Sequence, residues 1–75
     1  MLAKNLGVLV RRLRLERGYS QAEFAEVCRL ERAYMGMIER GEVNISVRTA
    51  YKLAKGLGTT LPGLFLELER YADGS

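Results

Sequence analysis

The 75-residue sequence has no histidine and no tryptophan, one cysteine and one proline. Without histidine it lacks the commonest zinc ligand and the side chain that titrates near neutral pH, so histidine-based catalysis is excluded and no zinc site is expected. The lone Cys28 excludes an internal disulfide framework. The longest apolar runs are three residues, as in Val8-Leu9-Val10 and Leu64-Phe65-Leu66, far short of the ~20 that cross a bilayer. Arg11 and Arg12 follow the first of these runs instead of preceding it, the reverse of a secretory signal. A soluble protein of a reducing, cytoplasmic setting is expected. A chain this short forms one domain over residues 1–75 and buries only about 60–65% of its unfolded surface, so association would help it.

Charge is present but unevenly placed. Twelve basic against nine acidic residues give +3, yet residues 1–60 hold 11 basic and 6 acidic side chains and residues 61–75 hold one and three. Nine of the twelve cations are arginine, whose planar fork suits phosphate and guanine better than lysine does. Such a balance also fits an ordinary solvated surface.

The patterning is helical throughout. Leu6, Leu9, Val10 and Leu13 recur at helical spacing and predict a helix over about Ala3–Arg17, which Gly18 ends. Ser20, with Glu23 three residues on, forms a capping box for a short second helix, Gln21–Cys28, that buries Phe24, Ala25 and Cys28. After a turn at Arg29-Leu30 a third helix runs from Glu31 or Arg32 to about Glu39, with Met35 and Ile38 inward, and Gly41 closes it. Ser46 caps a fourth, about Val47–Leu57, with Ala50, Leu53, Ala54 and Leu57 inside. A fifth follows from about Leu61 to Tyr71, with Pro62 in its first turn, where a missing N–H does no harm. No segment alternates with a strand's period of two. The predicted fold is all-α, a compact five-helix domain.

No catalytic constellation emerges: there is no phosphate-binding glycine loop and no Cys/His pair, and Cys28 reads as a small core residue, so an enzyme is not expected. The informative stretch is about 20–41, SQAEFAEVCRLERAYMGMIERG. Two short helices joined by a tight turn, with small Ala25 where they approach, have helix-turn-helix geometry, in which the second helix enters a DNA major groove. The stretch resembles the Cro/repressor (Xre-type) helix-turn-helix family in its Ser-Gln start, the Ala five positions after the Ser, and the closing Ile38-Glu39-Arg40-Gly41. The likeness runs from Leu6 to about Phe65 and includes Leu13-Arg14. Leu30-Glu31-Arg32-Ala33-Tyr34 and Asn44-Ile45-Ser46 are most similar to the controller proteins of restriction–modification systems, and prophage repressors and antitoxins share much of the pattern.

The resemblance implies a five-helix lambda-repressor-like fold and a site. Arg32, near the start of the third helix, is expected to read guanine; Ala33 and Met37, one turn apart, can accept thymine methyls, with packing as the alternative for Met37. Backbone contacts are expected from Ser20, Gln21, Arg40, Asn44 and, more weakly, Arg48. Tyr34 either touches a sugar-phosphate or sits against the second helix. In the family's pattern Arg14 and Glu39 pair, fixing the first helix against the helix-turn-helix. Two positions depart from that pattern: Arg29 stands where glycine is common because φ is positive, and Gly36 lies inside the third helix.

Helix five carries more apolar side chains than one buried face needs. Leu61, Leu64, Phe65 and Leu68 form a stripe, with Leu66 off it and Tyr71 at the end. These are expected to form a two-fold dimer contact, unless the helix simply wraps the core. The sequence thus leads to a homodimeric transcription regulator, repressor or activator, of bacterial or phage type on an inverted-repeat operator. The specific version is an autoregulating restriction–modification controller. Expected partners are double-stranded DNA, a second copy of the chain and, as a further candidate, RNA polymerase; no membrane, cofactor, metal or small-molecule ligand is expected. The rival reading is a protein-interaction module on the same fold, such as an antitoxin or anti-repressor.

Overall fold

The computed structural model describes the backbone of residues 2–74 and the side chains of residues 2–72. It contains five helices, α1 (Leu2–Glu16), α2 (Gln21–Cys28), α3 (Arg32–Glu39), α4 (Val47–Gly56) and α5 (Leu61–Gly74), and no strand among the described residues. The all-α expectation holds, with α1 beginning and ending one residue early and α5 running three residues past Tyr71.

Local chemistry sets the boundaries. Ser20 Oγ accepts the N–H of Glu23 at 3.0 Å while the Glu23 carboxylate accepts the N–H of Ser20 at 2.8 Å. That backbone hydrogen bond is the main reason the Glu23 carboxyl is held below its usual pKa. Ser46 caps α4 in the same way, accepting the Thr49 N–H at 3.1 Å.

Four helix ends share one closing pattern, in which a residue one or two places past the helix adopts positive φ and the next N–H reaches back to the carbonyl five residues earlier. Glycine supplies that residue at 18, 41 and 58. At α2 it is Arg29, with φ 59° and ψ 44°, and Leu30 N–H donates to Ala25 O at 2.8 Å. The turn of the helix-turn-helix therefore carries a left-handed arginine, at a cost of roughly 1–2 kcal/mol.

One apolar core unites the helices. Leu9, Val10, Phe24, Met35, Ile38, Leu53 and Leu64 are fully enclosed, and Leu6, Leu13, Ala25, Cys28, Ala54, Leu57 and Leu68 complete it. α1 packs on α3 and α5, α2 on α3 and α4, and α4 on α5. The radius of gyration, 11.0 Å, is that of a close-packed chain of this length, about 11 Å. No helix among the described residues is long and apolar enough to cross a membrane.

Candidate nucleic-acid interface

The amphipathic pattern of α3 turns Met35 and Ile38 into the core and leaves Arg32, Ala33, Met37 and Arg40 exposed. Arg32 occupies the first turn, and Ala33 and Met37 lie one turn apart on the outer surface. Tyr34 is half-buried, its ring packed against the core cluster. The outer face thus offers one hydrogen-bonding fork near the helix N-terminus and two small or flexible apolar side chains.

The inner side of α3 is fixed by a polar network. Arg14 Nε donates to Glu39 Oε2 at 2.7 Å and Arg14 Nη2 to Glu39 Oε1 at 3.0 Å, with the two side chains only 7% and 4% exposed. Arg14 Nη1 donates to the Tyr19 carbonyl at 2.9 Å, and Gln21 Nε2 donates to Glu39 Oε1 at 3.2 Å. One carboxylate therefore gathers α1, α2 and α3, and no buried side-chain polar atom among the described residues lacks a partner. A pair this buried adds little net stability over apolar packing, but breaking it strands a charge, so its effect is to fix one orientation of the helices.

Gly7 makes that proximity possible. A Cβ at position 7 would stand 2.5 Å from the Ile38 carbonyl oxygen and 2.6 Å from that of Glu39. α1 thus lies directly against the last turn of α3. On the other side of α2, a Cβ at Gly56 would meet Cys28 Sγ. Burial pushes the Cys28 thiol up to about 11, far from a reactive thiolate.

The expected backbone-contact residues fall into two groups. Ser20 and Gln21 begin α2 and Arg40 ends α3; the Gln21 amide and the Arg40 guanidinium both lie over Gly36. Arg40 also pairs with Glu42 in solvent, Nε to Oε2 at 3.0 Å and Nη2 to Oε1 at 3.2 Å, which raises its already high pKa. Asn44 and Arg48 are exposed in the loop before α4 and in its first turn. Among the described residues no group of His, Cys, Asp and Glu could hold a metal.

Helix α5 divides the residues assigned to a dimer contact. Leu64 is closed inside the protomer's own core and Leu68 keeps only an edge on a neighbouring groove, because the stripe faces α1 and α4. Phe65 and Leu66 are 44% and 51% exposed; Leu61 and Tyr71 are half-buried, with the Arg12 guanidinium 5.5 Å from the Tyr71 ring centre. The sequence reading missed Val47, 70% exposed, and Tyr51, also on the outer side of α4. Val47 and Phe65 border an apolar groove of about 240 Å³ that reaches Leu2, Leu6 and Ile45. It also missed Gly7 and Arg17, whose Nε donates to the Leu57 carbonyl at 2.8 Å and closes the C-terminal end of α4. A glycine inside a helix that costs about 1 kcal/mol relative to alanine was the available signal for Gly7; for Arg17 there was none.

Residues 10–64 match the helix-turn-helix family, and the chain belongs to it. It is 41% identical over 64 residues to control protein C.SmaI of Serratia marcescens, covering 85% of this chain and 71% of that one. It is 39% identical over 56 residues to the HTH-type transcriptional regulator SutR of Escherichia coli (strain K12), covering 75% of this chain and 32% of that protein's length. Among solved structures, the wild-type restriction–modification controller protein C.Esp1396I superposes with a TM-score of 0.89 at 25% identity, over 100% of this chain and 97% of that one. The same controller, as a tetramer with its natural 35 base-pair operator, superposes at 0.86 and 27% identity, over 95% and 93% of the two chains.

Proposed function

We propose that the chain is a sequence-specific DNA-binding transcription regulator that acts as a homodimer on an inverted repeat, and that it is an autoregulating controller of a restriction–modification system. One observation carries the reading: α3 is locked from behind by Arg14, Glu39 and Gly7, while Arg32, Ala33 and Met37 stand exposed on its outer face. A rigid helix with a free arginine near its N-terminus suits a major groove about 12 Å wide. The likeness to controllers, one of them solved on its operator, supports the same partner.

In this reading Arg32 bonds guanine O6 and N7, and Ala33 and Met37 pack on thymine methyls. Ser20, Gln21, Tyr34, Arg40, Asn44 and Arg48 hold the sugar-phosphate backbone and supply most of the affinity. Two copies meet through Phe65 and Leu66, bordered by Leu61, Tyr71, Val47 and Tyr51. Half-sites one turn apart lie about 34 Å from each other, and the two α3 helices of such a dimer are to match that spacing. The protein works in the cytoplasm, dimer concentration sets operator occupancy, and RNA polymerase is the further partner where it activates.

Retention on duplex DNA at two salt concentrations tests the reading. Specific binding with a steep negative salt slope is expected. Indifference to salt and to sequence would overturn it and favour a protein-interaction module. Sedimentation tests the dimer separately, and a strict monomer at tens of micromolar would remove it.

A further inference from the structure

Gly36 is buried, although Arg32 and Arg40, one turn before and after it on the same row of α3, are exposed. What covers it is two side chains. A Cβ at position 36 would stand 3.1 Å from Arg40 Nη1 and 3.5 Å from Gln21 Oε1, so the guanidinium of Arg40 lies over bare helix backbone where most residues would project a side chain. Both covering groups are held from elsewhere. Glu42 takes the Nε and Nη2 edge of Arg40 at 3.0 and 3.2 Å, which leaves the Nη1 edge turned to the gap. Glu39, which can only accept, takes the Gln21 amide nitrogen at 3.2 Å, which places the amide oxygen on the Gly36 side.

We propose that Gly36 is a positioning residue for DNA binding: the missing side chain seats Arg40 against α3 beside Gln21, where its free Nη1 edge grips a backbone phosphate. This inference rests on the reading of the chain as a DNA-binding regulator. A side chain at 36 pushes the guanidinium off the helix backbone and away from Gln21, and so displaces the Nη1 edge. Helix propensity favours almost any residue over glycine at this interior position, so the gap is kept against the local preference of the helix.

The test is the charge-neutral substitution Gly36→Met, with binding to a mixed-sequence DNA duplex measured across a salt series. The variant is expected to keep the wild-type helical circular-dichroism signal and thermal midpoint, to bind about tenfold more weakly, and to lose about one from the magnitude of its salt slope although no charge was removed. Arg40→Ala is expected to do the same, and the double variant to bind no worse than Arg40→Ala alone, since Gly36 acts through Arg40. Wild-type affinity and slope in Gly36→Met, or losses that add in the double variant, would overturn the proposal. Should methionine disturb folding, Gly36→Ala, which moves only the tip of an exposed arginine, is expected to keep or raise the thermal midpoint while shifting affinity in the same direction. No salt-dependent binding by the wild-type protein would instead remove the DNA reading itself, and this inference with it.

Discussion

Glu39 and Arg40 are neighbours at the end of α3, and each joins an arginine–glutamate pair, but the two pairs occupy different worlds. Glu39 meets Arg14 at 2.7 Å with both side chains buried, whereas Arg40 meets Glu42 at 3.0 Å with side chains 59% and 51% exposed. In the first, neither partner has water to fall back on, so the pair dictates how α1, α2 and α3 sit. In the second, water replaces either partner at little cost, so the pair fixes no helix and the Nη1 edge of the arginine stays open to a phosphate. Two adjacent residues thus divide the work: one faces inward and orients the helix, the other faces outward and is available to a ligand.

Variants on the two sides should separate sharply. Glu39→Ala or Arg14→Ala is expected to cost about 3–5 kcal/mol, a large share of what a 75-residue domain possesses at roughly 4–11 kcal/mol. Urea denaturation would read this as a large fall in midpoint, and replacing both partners by methionine should recover much of it. Gly7→Ala probes the same seam. Alanine normally improves a helix interior, but here its Cβ meets two backbone carbonyls, so a loss of about 1–3 kcal/mol is expected, measured in the same way.

A smaller effect of opposite sign is expected in the turn. Arg29→Gly relieves the left-handed strain and should raise stability by about 1 kcal/mol, an increase of about 4–8 °C in thermal midpoint. On the exposed side, Arg40→Ala and Glu42→Ala should each change stability by less than about 1 kcal/mol. A cost for Arg40→Ala as large as that for Arg14→Ala would erase the distinction between the two pairs.

What the sequence made legible was local. Capping by Ser20 and Ser46 and the helical spacing of Leu6, Leu9, Val10 and Leu13 follow from a few neighbouring residues, and both are present; the positive φ of Arg29, also present, was implied only by the family resemblance. What it hid was the partner of each long side chain and the reason for each interior glycine. Gln21 was expected to hold a phosphate, and nothing nearby in sequence showed that its amide nitrogen also reaches Glu39, 18 residues away. Leu64 and Leu68 belonged to a stripe that could have faced a second copy, but α1 and α4 cover them. Val47 and Tyr51 gave no signal, because an exposed apolar residue is defined by what fails to cover it. Such facts depend on where distant helices come to rest, which periodicity does not specify.

In the proposed complex the outer face of α3 reads bases while the surfaces around it hold the backbone. The decisive measurement is the affinity of Arg32→Ala for the best duplex enriched by the wild-type protein, compared with a scrambled duplex at the same salt. The ratio of the two affinities should fall by about 5- to 150-fold, the equivalent of 1–3 kcal/mol, with binding to the scrambled duplex nearly unchanged. Equal losses on both duplexes would contradict this division and reduce Arg32 to one more phosphate contact.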